Sequence, residues 1–210
     1  GYIRHNHIHT IESPKVEKRL PPKFTKQDAL RLLEVIYNYP HRNNFLRLRT
    51  YAIYSLFIFA GLRRGELLRL KYTDIDIENL TIYVRQGKGS KDRIIPMSFT
   101  LAESLKRYVI ERKRRSCTCP EFFVSHNGGH LTYDGLRHIT KRLIKASGIK
   151  FHVHKLRHTF ATLMLEGGCD IYSLSKMMGH SDIQTTTIYL SASAEHLRGQ
   201  ITKHPLNNLL

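Results

Sequence analysis

The stretch from His154 to Tyr189 constrains the fold more than any other part of this chain. Its apolar residues recur at helical spacing in two runs, and Gly167–Gly168 separates the runs in the way that a helix C-terminus would. His154 and Arg157 form an H-x-x-R pattern at its start, and His180 and Tyr189 lie towards its end. The segment therefore predicts short packed helices that gather two histidines, one arginine and one tyrosine.

A tyrosine hydroxyl in such a cluster suits attack on a phosphate. Its ordinary pKa is about 10, so without help it is a weak nucleophile at neutral pH. Positive charge and hydrogen-bond donors beside it would activate it and stabilise the charge on the phosphate. The composition points to the same target, because 34 Lys and Arg residues oppose 17 Asp and Glu, a formal net charge of +17. Such an excess favours nucleic acid over an anionic membrane as the partner.

Secreted and membrane-spanning classes are disfavoured. No apolar run approaches the roughly 20 residues that a membrane span requires, and the N-terminal GYIRHNHIHT lacks the order of a signal peptide. Cys117, Cys119 and Cys169 cannot all pair with one another, and the Cys-Thr-Cys spacing has no second half of a zinc site. These features predict a reduced, cytoplasmic protein without a cysteine zinc site.

The helices come from short-range signals. Thr25 and Asp28 have the spacing of a capping box, and an apolar periodic run follows them. A second helix over about 46–59 is apolar on most sides, which predicts that it is buried. Further helices are predicted over about 100–112 and 132–146.

Strands are predicted at few places. Residues 80–85 and 93–97 are rich in β-branched and aromatic residues, and a Gly- and Lys-bearing connection, QGKGSKD, joins them as a β-hairpin. A further short strand is predicted at 121–124. The expected fold class is therefore mainly α-helical with a small antiparallel β-sheet.

Together these motifs resemble the C-terminal catalytic domain of the tyrosine recombinases, the Xer and phage-integrase family. The resemblance covers roughly residues 20–205. The residues that match the family pattern in order are Arg63 in AGLRRGEL with Glu66 as its acidic companion, Lys88 in GKGSKDR, His154 and Arg157 in H-x-x-R, His180 in Gly-His, and Tyr189 as the nucleophile.

The resemblance implies a role for each matched residue. Arg63 and Arg157 would clamp a phosphate, because a planar guanidinium meets its oxygens bidentately. Lys88 would protonate the leaving 5′ oxygen. The two histidines would accept the tyrosine proton and hydrogen-bond the phosphate, and the sequence leaves open which does which. Glu66 would orient its neighbours, and the expected DNA contacts are Lys88, Lys91 and Arg93.

Several nearby residues compete for these roles. The register G-L-R favours Arg63 over Arg64 as the clamp, and the motif register favours Lys88 over Lys91 as the acid. No cysteine or carboxylate completes a metal site with the neighbouring histidines. Packing roles are predicted for the remaining candidates, His158, Tyr133 and Tyr172.

The resemblance also implies how the chain is divided and what it does. Residues 1–22 are expected to be a linker from an N-terminal DNA-clamp domain that this chain lacks, 23–193 the catalytic domain, and 194–210 a tail that docks on a neighbouring protomer. The implied activity is site-specific cleavage and rejoining of double-stranded DNA through a 3′-phosphotyrosyl bond, without metal or nucleotide. Protomers of such enzymes, identical or related, act as a tetramer on paired sites.

Two other functions remain open at this point. A type IB topoisomerase, which relaxes DNA alone, shares the chemistry, although the compact spacing of the motifs disfavours it. A basic module that binds DNA without cleaving it would have no use for the complete residue set. Trapping of a covalent complex with DNA distinguishes the non-cleaving module from the recombinase and the topoisomerase, because only the two enzymes form such a complex.

Overall fold

The computed structural model describes residues 24–85, 92–180 and 184–187 of the 210-residue chain. The linker predicted at 1–22 and the tail predicted at 194–210 lie outside the described residues. The helices of the described part are α1 (Lys26–Asn38), α2 (Asn44–Phe59), α3 (Arg64–Arg69), α4 (Phe99–Arg114), α5 (Tyr133–Ser147), α6 (Val153–Glu166), α7 (Ile171–Met178) and α8 (Gln184–Thr187).

The sheet of the described part has three antiparallel strands in the order β1-β2-β3. They are β1 (Ile75–Asp76), β2 (Thr81–Val84) and β3 (Arg93–Pro96). Ile82 of β2 lies opposite Ile95 of β3, and both are buried on the face that meets the helices. The predicted hairpin is thus confirmed, and the short β1 is an addition to it. Residues 86–91 of its connection, with Lys88 and Lys91, lie outside the described residues.

The strand predicted at 121–124 is wrong. This segment forms only isolated bridges, one between Lys71 and Glu121 and one between Val124 and His130. Its first half pairs with the chain after α3, since the Phe122 N–H donates to Leu70 O, and its second half pairs with the chain before α5. Because the partner changes within four residues, no ladder can grow, although Phe122 and Phe123 are buried as a strand would bury them.

Helix α2 is the centre of the core. Eleven of its sixteen residues are buried, as its apolar sequence predicts, and it packs against α1, α4 and α6. Asn43 caps its N-terminus by accepting a hydrogen bond from the Leu46 N–H at 3.0 Å, so the helix begins slightly before the predicted start. At its other end the chain turns through Gly61 into α3, and this turn leads directly to Arg63.

A second, smaller apolar cluster holds α6 and α7 together. Phe160 and Leu165 of α6 pack with Leu174 and Met178 of α7. The predicted break at Gly167–Gly168 is confirmed, because Gly167 ends α6 and α7 begins at Ile171. The tight turn folds α7 back against α6 and brings its C-terminus next to Arg157.

The start of α1 is tied to the same region. The predicted capping box is present, since Thr25 and Asp28 exchange hydrogen bonds at 3.1 Å in both directions. The Phe24 N–H then donates to Thr159 Oγ1 of α6 at 2.9 Å. In the part of the chain that the structure covers, no helix has the length and apolar character that crossing a bilayer demands.

Candidate active site

The C-terminus of α7 gathers three arginines from three distant segments. Arg93 Nε donates to Met177 O at 2.7 Å, Arg157 Nη2 donates to Met178 O at 2.6 Å, and Arg63 Nη2 donates to Gly179 O at 2.8 Å. The last carbonyls of a helix have no partner within the helix and carry partial negative charge. Three successive carbonyls therefore fix three cationic side chains around one point.

Arg157 is the most enclosed of these arginines, with 6% of its surface exposed. Besides Met178 O, its guanidinium donates to Gly61 O in the turn before α3 and contacts His180 Nε2 at 3.2 Å. One side chain on α6 thus connects the α2–α3 turn with the residues after α7. This sets the positions of both Arg63 and His180.

Glu66 holds the other two arginines. Its Oε1 accepts from Arg63 Nη1 at 2.9 Å and from Arg93 Nη1 at 2.8 Å, while Oε2 accepts from Arg93 Nη2 at 2.9 Å and from the Arg63 backbone N–H at 2.7 Å. Burial would raise the pKa of Glu66, but its hydrogen bonds with Arg93 and Arg63 hold that pKa below its ordinary value. The carboxylate therefore stays charged and orients its neighbours, as the family pattern implies.

Arg93 lies inside the protein in this structure. The sequence places it among the DNA contacts, yet its side chain is only 7% exposed and its nitrogens bond to Glu66 and Met177. A bidentate arginine–carboxylate pair has this geometry. We assign Arg93 a positioning role, and direct contact between Arg93 and DNA stays a prediction that its burial does not support. Sequence reasoning missed this pairing because Arg93 and Glu66 lie in different motifs.

His180 is neutral. Burial, followed by the charges of Arg157, Arg63 and Arg93, lowers its pKa to about 4. Since an arginine can only donate, Nε2 accepts from Arg157, and the ring proton on Nδ1 donates to Thr186 Oγ1 at 2.8 Å. Arg157 therefore sets the tautomer of His180, and Thr186, which no sequence motif singles out, accepts the remaining ring proton.

His154 is placed differently. It lies largely exposed on the first turn of α6, and partial desolvation of its ring, together with the charges of Arg64, His152 and Arg157, lowers its pKa. It is therefore a neutral imidazole near the arginine cluster. His152 caps α6 by accepting from the Lys155 N–H at 3.1 Å, and His158 is half-buried on α6, in line with its predicted packing role.

Arg64 points away from the cluster. Its Nη1 donates to Tyr133 Oη at 2.8 Å, and its guanidinium carbon lies 4.0 Å from the centre of the Tyr133 ring. The adjacent Arg63 is the one that reaches Glu66 and Gly179. This geometry agrees with the motif register that selects Arg63 over Arg64.

Two of the predicted site residues cannot be placed against this cluster. Lys88 and Tyr189 lie outside the described residues, so their roles stay predictions, as does the DNA contact of Lys91. Across the described ranges, no three His, Cys, Asp or Glu side chains group in an arrangement that could hold a metal ion.

The arrangement suits an anion. The cluster holds three guanidinium groups and one carboxylate, and His180 adds no charge, so positive charge exceeds negative charge by two. The side chain of Arg63 remains 38% exposed, and only two of its five side-chain N–H groups bond to described residues. Its remaining donors can bind phosphate oxygens that approach from solvent.

A model of the phage integrase family matches residues 23–196 of this chain. The chain belongs to the phage integrase family. The tyrosine recombinase XerA of Thermococcus kodakarensis is 35% identical over 192 residues, which are 90% of this chain and 64% of that protein. XerC of Bacillus subtilis is 34% identical over 211 residues, which are 96% of this chain and 67% of that protein. This family member thus spans about two thirds of the length of these curated relatives.

Solved structures of the family share the fold. A XerA recombinase crystal structure superposes with a TM-score of 0.76 at 34% identity, over 89% of this chain and 66% of that one. The structure of XerH bound to a palindromic difH substrate superposes with a TM-score of 0.74 at 27% identity, over 91% of this chain and 55% of that one. The catalytic domain of the bacteriophage HP1 integrase superposes with a TM-score of 0.60 at 24% identity, over 89% of this chain and 97% of that one. At this level of identity the similarity shows the fold alone. The expected recombinase catalytic-domain fold is confirmed.

Gly61 offers a test of the turn that carries Arg63. Its φ is +59°, and a Cβ there would lie 2.3 Å from the ring of Phe160, so we expect Gly61→Ala to destabilise the protein in two ways. The left-handed backbone costs about 1–2 kcal/mol for alanine, and overpacking adds about 1–3 kcal/mol. The free energy of unfolding in urea measures the sum.

Gly148→Ala is the matched control for Gly61→Ala. Gly148 also has a positive φ, +67°, but no atom lies within 4 Å of a Cβ there. We expect this variant to show the backbone cost alone. Equal losses in the two variants would mean that the contact with Phe160 relaxes freely, and that the turn is not tightly packed.

His180 predicts a pH dependence of stability. Its pKa falls from an ordinary 6.5 to about 4 in the folded protein, so between these values the unfolded chain binds a proton that the folded one does not. The contribution of the neutral His180 to the free energy of unfolding is therefore complete above pH 6.5, and it is lost as the pH falls towards 4. We expect wild type to lose more unfolding free energy between pH 7 and pH 5 than His180→Asn. Equal losses would show that His180 titrates normally.

Proposed function

We propose that this chain cleaves and rejoins DNA strands as a site-specific recombinase, through a 3′-phosphotyrosyl intermediate. The observation that carries the proposal is the convergence of Arg63, Arg157 and His180 on the C-terminus of α7. These residues come from three motifs of one family pattern, and they meet at a site with excess positive charge. A phosphodiester is the anion that a basic chain of this family would bring there.

The chemistry follows from where the donors lie. Charge develops on the non-bridging phosphate oxygens during phosphoryl transfer, and fixed guanidinium groups stabilise it without reorganising. Arg63 supplies exposed donors, while Glu66, Arg93 and the α7 carbonyls hold the cluster rigid. Such preorganisation is the usual source of the largest rate effects.

Of the two histidines, His154 is the better candidate for the general base. The Nε2 lone pair of His180 is already occupied by Arg157, and its pKa of about 4 makes it a weak acceptor. His154 is exposed, neutral and adjacent to the cluster, so it can accept the proton of an approaching tyrosine hydroxyl. His180 then acts by orienting Arg157. We assign Tyr189 as nucleophile and Lys88 as general acid from the family pattern.

A suicide substrate tests the proposal. A duplex nicked just beyond the scissile phosphate loses its short 5′-hydroxyl fragment after cleavage, so any covalent complex accumulates. We expect a complex that resists denaturant, with the DNA mapped by mass spectrometry to Tyr189, in the presence or absence of EDTA. If no covalent complex forms with any candidate site, the chain is a DNA-binding module that does not cleave DNA. If the DNA is attached to another residue, that residue and not Tyr189 is the nucleophile.

We also propose that protomers assemble on paired DNA sites through the tail at 194–210. An apolar groove of about 680 Å³ between α1, the end of α2 and α6 supports this proposal. Leu30 lines it with 55% of its surface exposed, beside Ile58 and Leu163. The leucines of the tail, Leu206, Leu209 and Leu210, have the apolar character to fill such a groove on a neighbouring copy.

Deletion of residues 204–210 and Leu30→Asp should each weaken assembly on paired sites about tenfold, while binding to a single site persists. Because both changes remove the same contact between tail and groove, the combined variant should assemble no more weakly than either variant alone. Ile110→Asp, at an exposed apolar position on α4, is the control. Additive losses, or an equal loss in the control, would show that the tail does not use this groove. Native gel shifts measure binding to a single site with one-site DNA and assembly on paired sites with two-site DNA.

A further inference from the structure

A cationic cavity of about 670 Å³ lies at the end of α2 that is remote from the active site. The loop between α1 and α2 forms one wall, and the C-terminal half of α5 forms another. Helix α2 has 16 residues, so about 24 Å of helix separates its N-terminus at the cavity from the turn that carries Arg63. The residues of the cavity therefore take no part in the cluster around α7.

The charge of the cavity is one-sided. Four arginines line it, and no aspartate or glutamate does so among the described residues: the arginines are Arg42, Arg49, Arg115 and Arg142. The N-cap residue of α2, Asn43, lies on the same wall, so the positive end of the helix dipole adds to the field. A site of this composition attracts an anion.

Arg49 shows that the positive charge is not compensated within the described protein. It is only 5% exposed, its Nη1 donates to Val124 O at 2.8 Å, and its buried Nε has no hydrogen-bond partner. Burial, with the charges of Arg142 and Arg115, lowers its pKa to about 10, so it remains charged at neutral pH. A buried cation without an anionic partner is costly, and an anion bound beside it would offset that cost.

The rim carries the donors that a ligand would meet first. Arg42 and Arg142 are exposed on opposite walls, and neither makes a hydrogen bond or an ion pair with the described residues. Arg115 is exposed as well, with its guanidinium carbon 4.3 Å from the centre of the Phe45 ring and its Nη1 donating to His126 O at 3.4 Å. His41 contributes less, because its Nε2 donates to Ile36 O at 3.0 Å. Forked guanidinium groups on facing walls match the oxygens of a phosphate.

We propose that this cavity is a second anion site, which binds a phosphate group through Arg42 and Arg142 at the rim, with the buried Arg49 behind them. The phosphate belongs either to a free phosphorylated ligand or to the backbone of bound DNA. The volume falls in the range of small-molecule sites, about 300–1,000 Å³, which accommodates a ligand of nucleotide size. The inference does not depend on DNA cleavage, so it stands or falls separately from the proposed recombinase activity.

The Arg42→Ala/Arg142→Ala double variant tests the site without disturbing buried Arg49. Its control, Arg31→Ala/Arg107→Ala, removes the same charge from exposed positions on α1 and α4 outside the cavity. The first measurement is calorimetric titration with sodium phosphate, with sodium chloride at equal ionic strength as the reference. Phosphate bound at the active-site arginines persists in both variants, so the difference between them isolates the cavity.

The second measurement is binding of a DNA duplex over a range of salt concentrations. For a free phosphorylated ligand, the double variant should lose at least tenfold in phosphate affinity while duplex binding matches the control. For a backbone phosphate, duplex affinity should fall beyond the control, and the slope of log K against log salt should decrease by about 1 for each lost contact. If the double variant matches its control in both measurements, the cavity binds no phosphate and the proposal is overturned.

Discussion

Tyr189→Phe is expected to form no covalent complex with the nicked suicide duplex, while its melting temperature and its non-covalent DNA binding stay at wild-type values. The change removes one oxygen atom and leaves the aromatic ring. If that oxygen is the nucleophile, no 3′-phosphotyrosyl bond can form, and the loss is complete. A loss of general acid or base function would instead slow the reaction by about 10²–10⁴.

Tyr172→Phe is the control for this experiment. Tyr172 lies on α7 with 60% of its surface exposed, and the ammonium group of Lys176 is 5.0 Å from the centre of its ring. The variant loses the same atom from another tyrosine of the His154–Tyr189 stretch, yet it should form the complex at the wild-type rate. Undiminished complex formation by Tyr189→Phe, or a loss confined to Tyr172→Phe, would assign the nucleophile elsewhere.

Arg157→Lys is expected to reduce the single-turnover cleavage rate by about 10²–10³, because it loosens the turn that presents the Arg63 donors, and misplacing one preorganised donor to a developing charge costs about this much. Lysine keeps the charge, but its ammonium is a point donor without the planar fork. It cannot reach Gly61 O, Met178 O and His180 Nε2 together, as Arg157 does. The turn before α3 and the chain after α7 would then lose their common anchor.

The same variant should also be less stable. Hydrogen bonds to a charged group contribute about 1.5–3 kcal/mol each, and Arg157 is 6% exposed, so water cannot easily replace them. We expect a fall in the free energy of unfolding of about this size for Arg157→Lys, measured in urea at pH 7.

Arg64→Lys is the control for Arg157→Lys, because Arg64 bonds to Tyr133 outside the cluster. It should reduce neither rate nor stability by more than a fraction of these amounts. Cleavage by Arg157→Lys at the wild-type rate would show that the clamp does not need a guanidinium at this position. A normal rate with reduced stability would make Arg157 a purely structural anchor.

Local features of this fold could be predicted from the sequence because the interactions that make them are local. The capping box of Thr25 and Asp28 joins residues three positions apart. The hairpin and the break at Gly167–Gly168 depend on side-chain type and glycine within a few residues. The strand predicted at 121–124 failed because its partners, around Leu70 and His130, come from two different parts of the chain.

The candidate site residues could likewise be predicted from the sequence, because the family pattern specifies residue type, order and spacing. That pattern selects Arg63 over Arg64, and it names Glu66, Arg157 and His180 before any distance is known. The structure brings these four residues together at the C-terminus of α7, and their catalytic roles stay predictions.

The tertiary structure alone decided how these residues act on one another. Arg93 donates to Met177 O across 84 positions of sequence, Arg157 to Gly61 O across 96, and Arg63 to Gly179 O across 116. Whether an arginine faces DNA or a helix C-terminus depends on burial and on which carbonyls lack partners, and neither is encoded in a short motif. The neutral tautomer of His180 and the uncompensated charge of Arg49 have the same origin, since each depends on neighbours that only packing brings into contact.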